Sequence, residues 1–418
     1  MKKRLLILGS LREFVQLIET AKARGYYTIV VDGYRDSEGK AHADKSYDIP
    51  PGNISEIAGL CRREQVDGII TSFSDYLFEC MVKIAAEAGL KCYFSPEKLE
   101  LYRNKYKMKE MLLELGIATP RFTMISPDFP DSALKDFSFP VVVKPLDKYG
   151  SRGVLVLDSP EQIREQFSYV CETSEIKKLL VEEYHDGYEF NMMTWVVDGQ
   201  VQVLSLADRE KTPTGTHDIP VSTRNVYPSR LLDSVIDEAR EVLQKVVNYT
   251  NQNSGALSMQ FFWKPGCPVS VCEIAGRFFG YEHELVEYCS GLAMEDLLLD
   301  YVYDESNIPK RLLEHSPRFS NCCAVLYFHG KNGMLVEDQT KADALSALPG
   351  VKEYWSFYKK GEQIVSHGKN PYVTRYYITC KDRREADRLT QEIFEQIKVL
   401  SPAGENILYQ NKIPEYPE

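Results

Sequence analysis

The sequence predicts a protein of mixed α/β and α+β class: an N-terminal parallel α/β domain, then an antiparallel α+β unit, then a C-terminal α+β piece. Three observations carry this. Short apolar runs alternate with helical patterns over residues 4 to about 100. Beyond about residue 120 the pattern changes to successive strands divided by turn signals. At 418 residues the chain exceeds one compact core, which implies two to four domains of roughly 100–200 residues each.

In the first part, Arg4–Gly9, Tyr27–Asp32 and Gly68–Ser72 read as strands, and Phe14–Arg24, Ile54–Glu64 and Leu77–Ala88 as the helices between them. Alternation of this kind makes a parallel sheet covered on both faces, with ligands at the carboxyl ends of the strands. Gly9, Asp32 and Ser72 to Asp75 lie at such ends. A helix over Lys105–Gly116 follows. Next come strands at Phe139–Lys144, Gly153–Leu157, Leu179–Glu183 and Phe190–Val197, with Asp198-Gly199 as a hairpin turn. A helix at Ser229–Asn248 precedes strands Ala256–Trp263 and Val269–Ile274. The last piece, from about Pro317, holds strands Ala324–Phe328 and Val373–Cys380 and a helix Arg384–Lys398.

Composition narrows the function. With 44% hydrophobic and 27% charged residues the chain reads as an ordinary soluble globular protein. A net charge of −11 argues against broad binding of nucleic acid or acidic membranes, and leaves room for a local basic pocket. The apolar run Leu5-Leu6-Ile7-Leu8 is too short for a signal peptide, which needs about 7–15 apolar residues. No run approaches the roughly 20 residues of a membrane span. The 10 cysteines lack CxxC spacing, which suggests reduced thiols in a cytoplasmic protein.

Four segments could carry chemistry. Leu8-Gly9-Ser10 lacks the GxGxxG of a dinucleotide fold, and is either a tight turn or a small-ligand loop. Lys144 ends an apolar strand, where a lysine is expensive without a counter-anion. The loop that follows, Gly150-Ser151-Arg152-Gly153, can present N–H groups and a hydroxyl to phosphate oxygens. Glu182, Glu183 and Glu189 flank a turn after another apolar strand; they are either solvated or part of a nucleotide site. Alternation in Ala256–Trp263 puts Ser258 and Gln260 on one face. Glu273 lies on an otherwise apolar strand with Arg277 just past its end, so it either meets Mg²⁺ or forms an ion pair with Arg277.

Taken together and in this order, the segments resemble the ATP-grasp superfamily, in the branch of biotin carboxylase, carbamoyl phosphate synthetase, the purine-pathway ligases and the L-amino-acid ligases. The resemblance runs from about Leu5 to Gly280 and loosely beyond. It implies an N-terminal domain at 1–100, an ATP-grasp domain at 101–310 with a mobile lobe at about 120–185, and a C-terminal α+β subdomain at 311–418. By the same resemblance, two α+β lobes clasp ATP. Lys105, in Asn104-Lys105-Tyr106-Lys107-Met108, and Lys144 look like the two phosphate lysines. Ser151, Arg152 and Gly153 belong to the closing loop, Glu182, Glu183 and Tyr184 to the adenine hinge, and Glu189 to the ribose position. His217 ends a segment, from Ala207, similar to one of biotin carboxylase. Glu273 resembles a magnesium ligand, and Arg277 the arginine beside the transferred phosphoryl group. Gln260 stands where the family usually has a second glutamate, and Ala275 where it often has an asparagine.

The activity so implied is phosphorylation of a carboxylate by Mg-ATP, followed by attack of an amine, in an enzyme that is a possible homodimer. An amino-acid ligase is the leading form. A carbamoyl-phosphate-type or purine-type enzyme is the second, and a non-catalytic ATP-binding protein, suggested by Gln260, the third.

Overall fold

The computed structural model describes residues 2–146, 153–172, 174, 176–212, 220–365 and 372–416. Four short strands open the chain, all apolar but the exposed β3: β1 (Arg4–Leu8), β2 (Tyr27–Val31), β3 (Lys45–Tyr47) and β4 (Gly68–Ile70). They form a parallel sheet in the order β3-β2-β1-β4. β1, β2 and β4 carry little polar surface because helices such as Val15–Ala23 and Asp75–Ala88 cover the sheet. Helix Asp75–Ala88 starts where the Leu77 N–H donates to the Ser74 side chain, and stops at Gly89, whose φ of 70° suits a residue without a side chain.

Helix Pro96–Arg103 and helix Lys105–Glu114 lead out of this unit. Asn104 separates them; its side chain accepts from the N–H groups of Tyr106 and Lys107 and so fixes the start of the second helix beside Lys105.

A small antiparallel lobe follows, made of β5 (Phe122–Ile125), β6 (Val141–Pro145), β7 (Leu155–Leu157) and β8 (Leu179–Glu183), in the order β5-β8-β6-β7. Val141, Val143 and Val181 pack with Ile163 and Phe167 of helix Pro160–Val170 in the lobe's own core. Period-two alternation therefore turns Val142, Lys144, Leu180 and Glu182 to the other face.

The third sheet has eight strands. In chain order they are β9 (Tyr188–Val197), β10 (Gln200–Thr212), β11 (Val221–Tyr227), β12 (Ser254–Trp263), β13 (Ser270–Ala275), β14 (Cys322–Phe328), β15 (Val351–Ser356) and β16 (Thr374–Cys380). They lie in the order β13-β12-β9-β10-β11-β14-β16-β15. Asp198 and Gly199, both at positive φ, make the tight β9–β10 turn expected of an Asp-Gly pair. The mixed class predicted from the sequence is the class observed. The C-terminal strands extend the same sheet, because β14 pairs with β11; the sequence boundary at 310 therefore divides the chain without dividing the sheet.

The two faces of this sheet do different work. Val226, Ala324, Leu326, Tyr376 and Ile378 pack under helix Arg383–Gln396 in one core. On that same face Arg224 gives Glu210 two hydrogen bonds, at 2.7 and 2.8 Å, and Arg383 bonds Asp208 and Glu210. The opposite face packs Val325, Tyr327, Trp355 and Tyr377 in one core with the N-terminal domain. The candidate site lies along this second face.

Candidate functional site

The lobe contributes one wall. The Lys144 Nζ lies 2.8 Å from Glu182 Oε2, and the Lys109 Nζ lies 3.1 Å from Glu182 Oε1. Lys109 also donates to the Thr119 hydroxyl at 2.7 Å, which in turn donates to the Val271 carbonyl. One buried carboxylate thus joins the lobe, helix Lys105–Glu114 and β13. Burial works against charge on Lys144, but Glu182 outweighs it and holds the ammonium above the ordinary lysine range. Burial would raise Glu182; its two lysines hold it below the ordinary carboxylate value. For Lys109, burial wins and the value falls. Lys105, one helical turn before Lys109, is likewise lowered by burial, with Glu273 pulling the other way.

The large sheet contributes the facing wall. Its register sets Gln260 opposite Glu273 on β13 and opposite Asn191 on β9. Glu189, two residues before Asn191, shares this face and gathers donors: Arg209 at 2.5 Å, Lys211 and the Gln260 amide. Its burial is offset by Arg209 and Lys211, which keep it ionised well below the usual range. Ser258, Gln260, Glu273, Ala275, Arg277 and Phe279 line a small cavity.

Arg277 closes the end of this cavity. Its guanidinium pairs with Asp75, at the first turn of helix Asp75–Ala88 in the N-terminal domain, at 3.0 and 2.6 Å. The Glu273–Arg277 ion pair weighed from the sequence is therefore replaced by a pair with an acid some 200 residues away.

The other sequence candidates divide as follows. Ser151, Arg152 and His217 lie outside the described residues. Gly153 turns at a φ of 69°, where an added Cβ would stand 3.0 Å from the Val170 carbonyl. In the hinge segment the N–H groups of Glu183 and Tyr184 donate to the Arg121 and Pro140 carbonyls, and the Tyr184 side chain is exposed. The Glu182 side chain serves the two lysines rather than the hinge. Sequence reasoning missed Lys109, Arg209 and Lys211. A signal existed for Lys109, since it repeats Lys105 at a spacing of four on one helix face.

Six cations, Lys105, Lys109, Lys144, Arg209, Lys211 and Arg277, thus stand with four carboxylates, Asp75, Glu182, Glu189 and Glu273. The excess positive charge, dry and fixed, suits a polyanion. For Mg²⁺ the cavity offers the Glu273 carboxylate, the Gln260 amide and the Ser258 hydroxyl, which is buried and finds no hydrogen-bond partner among the described residues. Among the described residues no cluster of three His, Cys, Asp or Glu could hold a metal. These donors fit one partly hydrated Mg²⁺ shared with phosphate oxygens, and do not make an all-protein cage.

The model of the ATP-grasp domain matches residues 137–283. The chain carries an ATP-grasp domain. Among curated proteins it is similar to the formate-dependent phosphoribosylglycinamide formyltransferase of Prochlorococcus marinus (strain MIT 9312), 24% identical over 269 residues, which cover 63% of this chain and 67% of that one. The fold is shared with the L-amino acid ligase from Bacillus licheniformis at a TM-score of 0.80 and 18% identity, covering 96% of this chain and 99% of that chain. It is shared also with the biotin carboxylase domain dimer of the Hydrogenobacter thermophilus 2-oxoglutarate carboxylase, in complex with MgADP, ADP and bicarbonate, at a TM-score of 0.74 and 17% identity, covering 96% and 91%. None of the described helices is long and apolar enough to cross a membrane.

Proposed function

We propose that the protein is an ATP-dependent carboxylate–amine ligase, with ATP held between the lobe sheet and the eight-stranded sheet. The observation that carries the reading is Arg277 lining the cavity of Gln260 and Glu273, with Lys105 and Lys144 both interacting with Glu273 and Lys109 sharing Glu182 with Lys144. Lys105 and Lys144 bind phosphate oxygens. Glu182 holds Lys144 charged and aimed. Glu189 receives ribose hydroxyls by exchanging part of its Lys211, Arg209 and Gln260 contacts. Tyr184 and Glu183 border the adenine, and the loop through Ser151, Arg152 and Gly153 excludes water from the phosphates. His217 is assigned to the phosphate side by the resemblance of its segment to one of biotin carboxylase.

Glu273 and Gln260 would hold one Mg²⁺, which when bound neutralises phosphate charge. The chain's own part is position and charge, because phosphoryl transfer asks little else of a protein. The γ-phosphoryl group passes from ATP to a carboxylate oxygen, releasing ADP. Arg277, braced by Asp75, steadies the negative charge on the transferred group. An amine then attacks the acyl carbon, and phosphate leaves with the C–O bond electrons. The biotin carboxylase domain dimer of similar fold supports a homodimer as the working form. Ten free cysteines support a cytoplasmic setting.

A second reading, ligation on a purine precursor, is favoured by the similarity to formate-dependent phosphoribosylglycinamide formyltransferase. ADP release from Mg-ATP, measured with pooled amino acids and with formate plus phosphoribosyl amines, separates the two. Stimulation by the amino-acid pool supports the leading form. Stimulation by formate and a phosphoribosyl amine alone replaces it with the second. Tight ATP binding with no release in any pool would make the chain a non-catalytic ATP-binding protein.

A further inference from the structure

The sheet face that carries the nucleotide-side residues continues to a second charged group. Register along the strands sets Tyr327 of β14 opposite Arg375 of β16, and Arg375 opposite Trp355 of β15. The Arg375 side chain is fully buried, yet none of its three guanidinium nitrogens finds a hydrogen-bond partner among the described residues. Aromatic rings surround it: Tyr281 at 3.8 Å, Trp355 at 4.4 Å, Phe357 at 4.7 Å, Tyr372 at 5.5 Å and Tyr377 at 5.9 Å. Ring faces attract a guanidinium but accept none of its five N–H bonds. A dry cation with unmet donors is held at a cost that a carboxylate would relieve, through paired hydrogen bonds.

The charges nearby define what fits. Glu13, in the short helical turn Arg12–Phe14 that follows β1, and Glu284 both interact with Arg375. His283 lies 2.7 Å from Glu295 and 3.2 Å from Glu284, so its charge is already met. A phosphate dianion would face these acids with one unpaired cation. A zwitterion, with its carboxylate on the arginine and its ammonium towards Glu13, meets both signs. The position is also suitable: Tyr372 interacts with Arg375 on one side and with Arg209 and Glu282 on the other, and Arg209 is paired with Glu189.

We propose that Arg375 anchors the non-reacting carboxylate of the amine-bearing substrate, so that this substrate is an α-amino acid rather than a simple amine or a phosphorylated sugar. This rests on the ligase reading, in which the other substrate's carboxylate is the one activated beside Arg277.

Ligand-observed saturation-transfer NMR tests it on the full chain. The probe is a pool of proteinogenic L-amino acids, compared with the same pool as α-carboxamides and with a pool of sugar phosphates, each with and without Mg-ATPγS. At least one free amino acid is expected to show transfer, its carboxamide to show none, and the sugar phosphates to show none. Folded Arg375→Gln and Arg375→Lys chains should weaken that binding at least about tenfold while Mg-ATPγS affinity stays unchanged. Equal transfer to the carboxamides, transfer to sugar phosphates only, no transfer to any free amino acid, or unweakened binding in a folded variant would overturn the proposal. The wild-type comparison needs no variant, so a variant that misfolds leaves the test standing. Amino-acid binding without any Mg-ATPγS binding would support the Arg375 site and count against the ligase reading alone.

Discussion

Arg277, just past the end of β13, and Asp75, at the start of a helix in the N-terminal domain, meet through two hydrogen bonds of 3.0 and 2.6 Å. One guanidinium therefore ties the domain that opens the chain to the end of the cavity lined by Glu273 and Gln260. Burial acts against the Asp75 charge, but Arg277 outweighs it and holds the carboxyl below its ordinary value. Asp75→Ala leaves Arg277 buried without its partner. We expect a loss of about 3 kcal/mol in unfolding free energy by denaturant titration. We also expect turnover to fall by about tenfold or more with ATP affinity nearly unchanged, because Arg277 then loses its aim rather than its charge. A variant with wild-type stability and turnover would show that the pair positions nothing.

Gln260 donates its amide to Glu189 and faces Glu273 across the strands. Gln260→Glu puts a third carboxylate against those two. Without a cation this costs about 1–3 kcal/mol, and Mg²⁺ should restore the loss and bind more tightly than to the wild type. Melting temperatures in EDTA and in Mg²⁺, with a metal count in the presence of ATP, check both points. Unaltered Mg²⁺ dependence and stoichiometry would place Gln260 outside the metal site.

The pH dependence of stability has an identifiable source in Glu282. Burial raises its carboxyl to about 7, against hydrogen bonds from Tyr227 and Asn191 that favour the charged form. A raised carboxyl means that the folded chain holds a proton which the unfolded chain releases between about pH 4.5 and 7. Stability from this group is therefore full below about 4.5 and is lost as pH rises through 7; the rise corresponds to roughly 3 kcal/mol. Glu282→Gln keeps the amide in hydrogen-bonding reach and removes the titration. Subtracting its stability curve from that of the wild type should leave a slope confined to this window. A flat difference would contradict a protonated Glu282.

Much of the fold can be read from local pattern, and the parts that cannot share one physical cause. β1, β2 and β4 are apolar runs bounded by turns, and the Asp198-Gly199 hairpin announces itself. β10 and β11 do not, because Asp208, Arg209, Glu210, Lys211 and Arg224 interrupt any apolar or alternating signal. Those charges are tolerable inside a sheet only because each finds a partner from another segment: Arg224 and Arg383 for Glu210, and Glu189 for Arg209 and Lys211. Partners distant in sequence leave no local trace. The site divides in the same way. Lys144 and Glu273 stand out as polar groups on apolar strands, and the folded chain sets Glu273 opposite Gln260 and lets it interact with Lys105 and Lys144. Arg209 and Lys211 acquire meaning only from their contact with Glu189, which folding creates. Arg375 did leave a faint signal, as a lone charge inside the run Val373 to Cys380.

The central claim is that ATP phosphates are held between the lobe and the large sheet by Lys105 and by Lys144, whose charge Glu182 sustains. Calorimetric titration of Mg-ATPγS into the wild type and Lys144→Ala tests it most directly. Removing this ammonium, with Glu182 then facing Lys109 alone, should weaken affinity by about 10- to 100-fold, the range for a lost charge-assisted hydrogen bond. Unchanged affinity in a folded Lys144→Ala chain would contradict the account.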